Sequence, residues 1–107
     1  MARALGRWPW RRVRVTGPSM APTLRHGDIV LVRQATTALP GDVAIVRWPG
    51  RLSVKRVDHA VPGGWFVVGD NRFGSTDSRE LGAAEVLAVV CWRLWPRPGR
   101  VTRDRAV

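Results

Sequence analysis

The sequence predicts a small all-β domain with a partly closed, barrel-like sheet, and three observations support this prediction. Short apolar or alternating stretches recur along the 107 residues. Turn signals rich in Gly and Pro, of which the chain has eleven and eight, separate these stretches. No stretch of useful length has the 3.6-residue periodicity of an amphipathic helix. Short strands joined by tight turns are typical of compact antiparallel sheets and barrels.

The elements are expected in a simple order along the chain. Pro18 and Pro22 restrict any helix after Ser19 to one short turn. The stretch from Gly69 to Gly82 is polar and rich in Gly, Ser and Asp, which predicts a long ordered loop. Strands are predicted at 12–16, 28–33, 43–48, 52–58, 65–68 and 85–95.

The length fits one domain with little room for a second. We expect a basic N-terminal tail at residues 1–11, a folded domain at 12–96 and a disordered C-terminal tail at 97–107. The longest apolar run, Val86 to Trp92, is far shorter than the about 20 residues of a membrane-spanning helix. Arginines interrupt the first residues, so no signal peptide is predicted and the expected location is the cytoplasm.

The charge is strongly basic, with a formal net value of +10. Such a balance fits a nucleic acid, an anionic membrane or an acidic partner, but a solvated arginine-rich surface explains the dispersed charges better. Of the 18 basic residues only Lys55 is a lysine. Lysine can lose its proton when it is desolvated, whereas arginine stays charged, so Lys55 is a candidate for acid–base chemistry. Cys91 is the only cysteine, which excludes an intrachain disulfide and a multi-cysteine metal site.

Three segments carry candidate catalytic residues. Ser19 lies between Gly17-Pro18 and Pro22, on a stiff backbone that would suit a nucleophile or a serine that caps a turn. By strand alternation, Lys55 shares a face with Val57, and a covered face would make its amine a base for a serine hydroxyl. An edge-strand lysine that discourages aggregation is the alternative.

The third segment is the polar loop from Gly69 to Gly82. Asp77 and Arg79 could pair and brace it, and Ser75 or Ser78 could hold the Lys55 amine. A calcium loop is a weaker interpretation, because the carboxylates are few and their spacing is not that of an EF-hand.

In this order the segments resemble the sequence boxes of the signal peptidase I family of Ser-Lys proteases. Residues 19–24, Ser-Met-Ala-Pro-Thr-Leu, resemble the nucleophile box, and Gly41-Asp42-Val43 resembles the entry to a family strand. Lys55-Arg56 resembles the general-base box, and residues 69–79 resemble the Gly-Asp-Asn-x-x-x-Ser-x-Asp-Ser-Arg box. The likeness covers about residues 13 to 95, and it implies the family's catalytic barrel.

The resemblance also implies roles for these residues. Ser19 would be the nucleophile, and its backbone N–H would supply an oxyanion-hole donor. Lys55 would be the neutral general base, oriented by Ser75, while Asp77 and Arg79 would brace the site as an ion pair. Some members carry a serine two residues before the nucleophile, where this chain has Gly17, so we expect an oxyanion hole of backbone donors only.

The short interval between Ser19 and Lys55 and the Trp-Arg-Leu-Trp-Pro-Arg-Pro segment at 92–98 are similar to the nickel-type superoxide dismutase maturation proteases. This likeness implies an enzyme without a membrane anchor that removes an N-terminal propeptide from a precursor protein and needs no metal or cofactor. No nucleic-acid partner is expected from it, and peripheral contact with a membrane is left open.

Two other functions compete with this interpretation. A Ser-His enzyme would have to use His26 or His59, and neither lies in a known hydrolase motif. A nucleic-acid or membrane-surface binding module without catalysis is supported by the net charge and by the alternating Trp and Arg residues of 7–12.

Overall fold

The computed structural model describes residues 9–74 and 76–103 as one antiparallel sheet with a single short helix. The prediction of an all-β fold with a short helical turn is confirmed. The described elements are β1 Trp10–Arg14, β2 Ile29–Gln34, β3 Val43–Trp48, β4 Arg51–Val61, β5 Gly64–Val68, α1 Ser78–Leu81, β6 Glu85–Trp95 and β7 Gly99–Arg100.

The strands lie in the order β1-β2-β6-β3-β4-β5, and β7 pairs with the far end of β6. The sheet is not closed, because β1 and β5 remain as its two edges. The long strand β6 contacts both β2 and β3 through antiparallel ladders. It thereby joins the β1-β2 hairpin to the β3-β4-β5 meander.

Two hydrophobic clusters pack on the two faces of the sheet at strands β3 and β4. Val54 packs against the first cluster, whereas Val57 belongs to the second. Since side chains alternate along a strand, Lys55 shares the face of Val57 and Arg56 shares the face of Val54. The first cluster is Val15, Met20, Leu24, Val30, Val32, Val43, Ala88 and Val90, and the second is Ala44, Val46, Trp48, Val57, Val67, Ala84 and Val86.

The predicted tails differ from what the structure describes. Strand β1 begins at Trp10, inside the segment expected to be a tail. At the other end, residues 97–103, a segment expected to belong to a disordered tail, include strand β7 at Gly99–Arg100. Arg100 pairs with Trp92 in register and stacks its guanidinium 5.7 Å from the Trp92 ring centroid. Val101 packs against the first cluster, so apolar burial anchors a segment whose prolines and charges suggested a loose end. Residues 1–8 and 104–107 lie outside the described residues.

Local hydrogen bonds explain the two helical turns. After Ser19 the chain makes one turn, in which the Leu24 N–H donates to the Met20 carbonyl at 2.9 Å. Helix α1 lies within the segment predicted as a loop, and it begins because the Asp77 carboxylate accepts the Arg79 N–H at 3.2 Å as an N-cap. No helix in the described part of the chain is long and apolar enough to cross a membrane.

Candidate active site

Ser19 lies on the turn between β1 and β2, and this turn is held by packing against the first cluster and by hydrogen bonds from Asn71. Met20 and Leu24 are fully buried in the first cluster and anchor the turn to the sheet. Asn71 binds it laterally: its backbone N–H donates to the Ser19 carbonyl at 2.9 Å, and its side-chain Nδ2 donates to the Pro18 carbonyl at 2.9 Å. The backbone that carries the Ser19 hydroxyl is therefore fixed by packing and by hydrogen bonds.

Lys55 is in the interior of β4 and is only 1% exposed. Its neighbour across the ladder is Ala44 of β3, a small residue in the second cluster. Burial lowers the pKa of Lys55 from its usual 10.5, and the nearby charge of Arg51 lowers it further, while the charge of Asp77 opposes the shift. The face that Lys55 shares with Val57 is therefore covered, and the amine has the desolvation that base chemistry needs.

Ser19 and Lys55 meet at one cavity of about 370 Å³. The Ser19 Oγ donates to the backbone carbonyl of Val54 at 3.4 Å, a long contact that places the hydroxyl beside the residue preceding Lys55. The cavity is open to solvent and is lined by Thr16, Gly17, Pro18, Ser19, Arg51, Ser53, Lys55, Gly74 and Thr76. Nucleophile and base candidates from distant parts of the sequence therefore share one accessible space.

Asp77 and Arg79 form an ion pair at the start of α1. The Arg79 Nη2 donates to the Asp77 carboxylate at 2.9 Å and its Nε donates at 3.1 Å. Asp77 is buried while the Arg79 side chain is largely exposed. Hydrogen bonds from Arg79 lower the pKa of Asp77 and keep it ionised, so a fixed negative charge acts on Lys55.

The other predicted polar residues have different outcomes. Ser75 lies outside the described residues, so its predicted role in orienting Lys55 stays a prediction. Ser78 is buried, and its Oγ accepts the Val67 N–H at 2.9 Å, which joins α1 to β5. The oxyanion-hole role of the Ser19 N–H also remains a prediction. Gly17, which faces the cavity, has φ +82°, a left-handed conformation that favours glycine over serine at this position.

Sequence reasoning missed a buried ion pair that Arg56 forms on the face of β4 opposite to Lys55. Arg56 is 1% exposed and donates to Asp70 through Nη2 at 2.5 Å and Nε at 3.2 Å. Its Nη1 donates to the carbonyls of Gly41 at 2.9 Å and Thr102 at 2.8 Å. The Thr23 hydroxyl donates to the same Asp70 carboxylate at 2.6 Å. The Arg56 guanidinium therefore links β4 directly to the β2–β3 turn and to the C-terminal segment. Through Asp70 it also links β4 to the turn that carries Ser19.

The two histidines have other partners. The Nδ1 of His26 accepts the Gly17 N–H at 2.9 Å. His59 stacks on Phe66 and contacts Asp58 at 2.7 Å. Among residues 9–74 and 76–103, neither imidazole has a hydrogen bond to Ser19, and no group of three or more His, Cys, Asp or Glu side chains could hold a metal ion.

Comparison with known proteins identifies a family for this chain. Over an alignment of 111 positions, the chain is 28% identical to mitochondrial inner membrane protease subunit 1 of Xenopus tropicalis. The alignment covers 76% of this chain and 66% of the relative, just under two thirds of the relative's length. The sequence profile of the Peptidase S24-like family matches residues 11–91, a span that contains Ser19, Lys55 and the Asp77–Arg79 pair. The chain therefore belongs to the Peptidase S24-like family.

Proposed function

We propose that this chain is a serine endopeptidase that uses a Ser19–Lys55 dyad. The neutral amine of Lys55 accepts the proton of the Ser19 hydroxyl while Oγ attacks the carbonyl carbon of the scissile bond. Lys55 then donates this proton to the leaving amine, and an acyl-enzyme remains on Ser19. Water activated by the same amine hydrolyses the ester and regenerates the hydroxyl. The N–H of Ser19 serves as a donor to the developing oxyanion.

One observation carries the proposal: the only lysine of the chain is buried beside the cavity that also contains Ser19. A surface lysine would be protonated at neutral pH and could not accept a proton, whereas burial lowers the pKa of Lys55. The family assignment and the peptidase relative support the same reaction class.

The proposed substrate is a precursor protein with an N-terminal propeptide, and the precursor of nickel superoxide dismutase is the first candidate. This choice is supported by the short Ser19–Lys55 interval and by the tryptophan-rich segment at 92–98, which resemble the maturation proteases of that enzyme. A cytoplasmic location is part of the same proposal. The name of the Xenopus relative describes a protease of the mitochondrial inner membrane, and that location is a property of the relative.

Intact mass spectrometry of the incubated precursor tests the proposal. Wild-type protein should produce one N-terminal cut, and Ser19→Ala and Lys55→Ala should produce none. Ser53→Ala is the matched control, because Ser53 lines the same cavity from β4 but has no role in the proposed chemistry. Its rate should stay close to that of the wild type.

The variants separate the parts of the proposal. A cut that survives Lys55→Ala would overturn the dyad. Cleavage of other peptides, but not of the superoxide dismutase precursor, would retain the protease and remove the substrate. If none of these proteins cleaves any substrate while circular dichroism shows that the fold is intact, the catalytic proposal itself fails.

A further inference from the structure

Arg51 distinguishes the candidate active-site cavity from a simple polar cleft. It is the first residue of β4, it is exposed, and it lines the cavity together with Ser19 and Lys55. Apart from Lys55, the other described residues of the lining are uncharged, so the cavity has a permanent cation but no carboxylate among them. Because Lys55 acts as base in its neutral form, Arg51 is the principal positive charge offered to a substrate.

Several arginines in the described part of the chain have a carboxylate partner. Arg47 pairs with Glu85, Arg56 with Asp70, Arg79 with Asp77 and Arg103 with Asp42. Within the described part of the chain, Arg51 has no such carboxylate partner. Its charge nevertheless acts on Lys55, whose pKa it lowers, so the guanidinium lies within electrostatic range of the proposed base. A cation that neighbouring side chains leave without an acid is available to a ligand.

We propose that Arg51 is a specificity-determining residue that binds a carboxylate side chain of the substrate close to the scissile bond. The inference rests on the proposed protease function and deepens it by assigning a substrate class, acidic near the cut. The planar guanidinium can donate two parallel hydrogen bonds to a carboxylate, which favours Asp or Glu over Asn or Gln.

The chemistry of Lys55 gives a reason for a dedicated cation at this place. A substrate carboxylate bound in the cavity without a partner would stabilise the ammonium form of Lys55, which is the inactive form of a general base. A carboxylate neutralised by Arg51 has a much weaker effect. Arg51 therefore allows an acidic substrate to bind without protonating the base.

Paired peptide pools test the inference. The two pools differ by Asp against Asn at a single position, which is scanned along the peptide, and the ratio of kcat/KM for Asp over Asn is measured by mass spectrometry. At the recognised position this ratio should fall about fivefold in Arg51→Gln, the upper range for a solvent-accessible ion pair. Because the ratio compares two peptides on one enzyme, any general effect of Arg51 on Lys55 cancels.

Arg12→Gln is the matched control. It removes the same charge from β1, at the opposite end of the strand order from β4 and β5, and should leave the ratio unchanged. Arg51→Glu should reverse the preference, so that a pool with Lys at the recognised position is cleaved better than the Asp pool. Equal losses in Arg51→Gln and Arg12→Gln would mean that the overall basic charge attracts acidic peptides, which would overturn the inference.

A binding measurement separates failure of this inference from failure of the protease proposal. Labelled Asp and Asn pools are titrated with Ser19→Ala and with Ser19→Ala/Arg51→Gln, and fluorescence anisotropy gives the affinity. If wild-type protein cleaves nothing but the Asp preference in binding depends on Arg51, the carboxylate site stands and the protease proposal fails. If peptides are cleaved with no Asp preference at any position, the inference fails and the protease proposal stands.

Discussion

The two faces of β4 treat neighbouring cations in opposite ways. Lys55 and Arg56 are consecutive, and each is 1% exposed. Arg56 lies among oxygen acceptors: the carboxylate of Asp70 and two backbone carbonyls. For Lys55 the loss of hydration outweighs the attraction of Asp77, and its pKa is lowered. Burial alone therefore does not decide what a cation does in a protein.

Two consecutive residues of β4 thus differ in role: Arg56 connects segments of the structure, and Lys55 is the proposed base. The guanidinium of Arg56 connects distant segments, whereas burial lowers the pKa of the Lys55 amine. The two faces converge on the turn that carries Ser19. Asp70, the partner of Arg56, accepts from Thr23, and Asn71 binds the carbonyls of Pro18 and Ser19. The contacts of Asp70 and Asn71 thus hold the turn that carries Ser19 in place.

The largest effect is expected when Lys55, the proposed base, is replaced. Lys55→Arg retains a positive charge but cannot supply a neutral base, so we expect cleavage to fall by about 10³-fold. Lys55→Met, which retains the approximate length without the charge, should be equally inactive. The measurement is the cleavage rate of the precursor, with the fold of each variant checked by urea unfolding. Substantial activity in Lys55→Arg would show that the charge of residue 55, and not its proton transfer, matters.

The same change on the other face should affect stability instead. Arg56→Met leaves the buried Asp70 carboxylate without its countercharge, and the free energy of unfolding should fall by about 3–5 kcal/mol. Lys55→Met is the matched control, and its stability should be unchanged or higher because a desolvated amine is removed. Urea denaturation of the two variants measures the contrast. Equal destabilisation would mean that both cations are structural, which would contradict the proposed difference between Lys55 and Arg56.

Asn71→Ala tests the link between the two faces. The substitution removes the hydrogen bond from Nδ2 to the Pro18 carbonyl but retains the backbone bond to Ser19. We expect kcat to fall by about tenfold with little change in KM, since a looser nucleophile turn weakens the attack geometry more than substrate binding. Arg72→Ala, a neighbouring exposed position, is the control and should have wild-type kinetics. A loss confined to KM would place Asn71 in substrate binding instead.

The parts of the fold that depend on residues close together in the chain could be predicted from the sequence. Alternation in β4 was enough to place Lys55 and Val57 on one face, which the structure shows to be covered, and turn signals separated most strands. The resemblance to a protease family brought Ser19 and Lys55 together, and the structure places both at one cavity. Their catalytic roles stay predictions until cleavage is measured.

Interactions between distant segments could not be predicted in this way. Arg56 and Asp70 are adjacent only after β4 and β5 have paired, and nothing in the residues around them marks a buried ion pair. Similarly, β7 depends on Trp92 of β6, a tertiary partner that a proline-rich charged segment does not reveal. Sequence patterns describe each face of a strand, whereas the packed structure decides which charges the faces enclose.

The smallest expected effect is a dependence of stability on pH that belongs to Lys55 alone. Because folded Lys55 has a pKa below 10.5, the unfolded chain binds more protons between these two values, and stability rises with pH in that window. This gain in stability is lost again as the pH falls towards the lowered pKa. The free energy of unfolding changes by at most about 1.4 kcal/mol per pH unit for one proton. The chain has no tyrosine and no other lysine, so few other groups titrate there. Urea unfolding of Cys91→Ala across this range should show the slope, and Cys91→Ala/Lys55→Met should lack it. A slope that persists without Lys55 would assign the titration to another group and remove the physical basis for a neutral base.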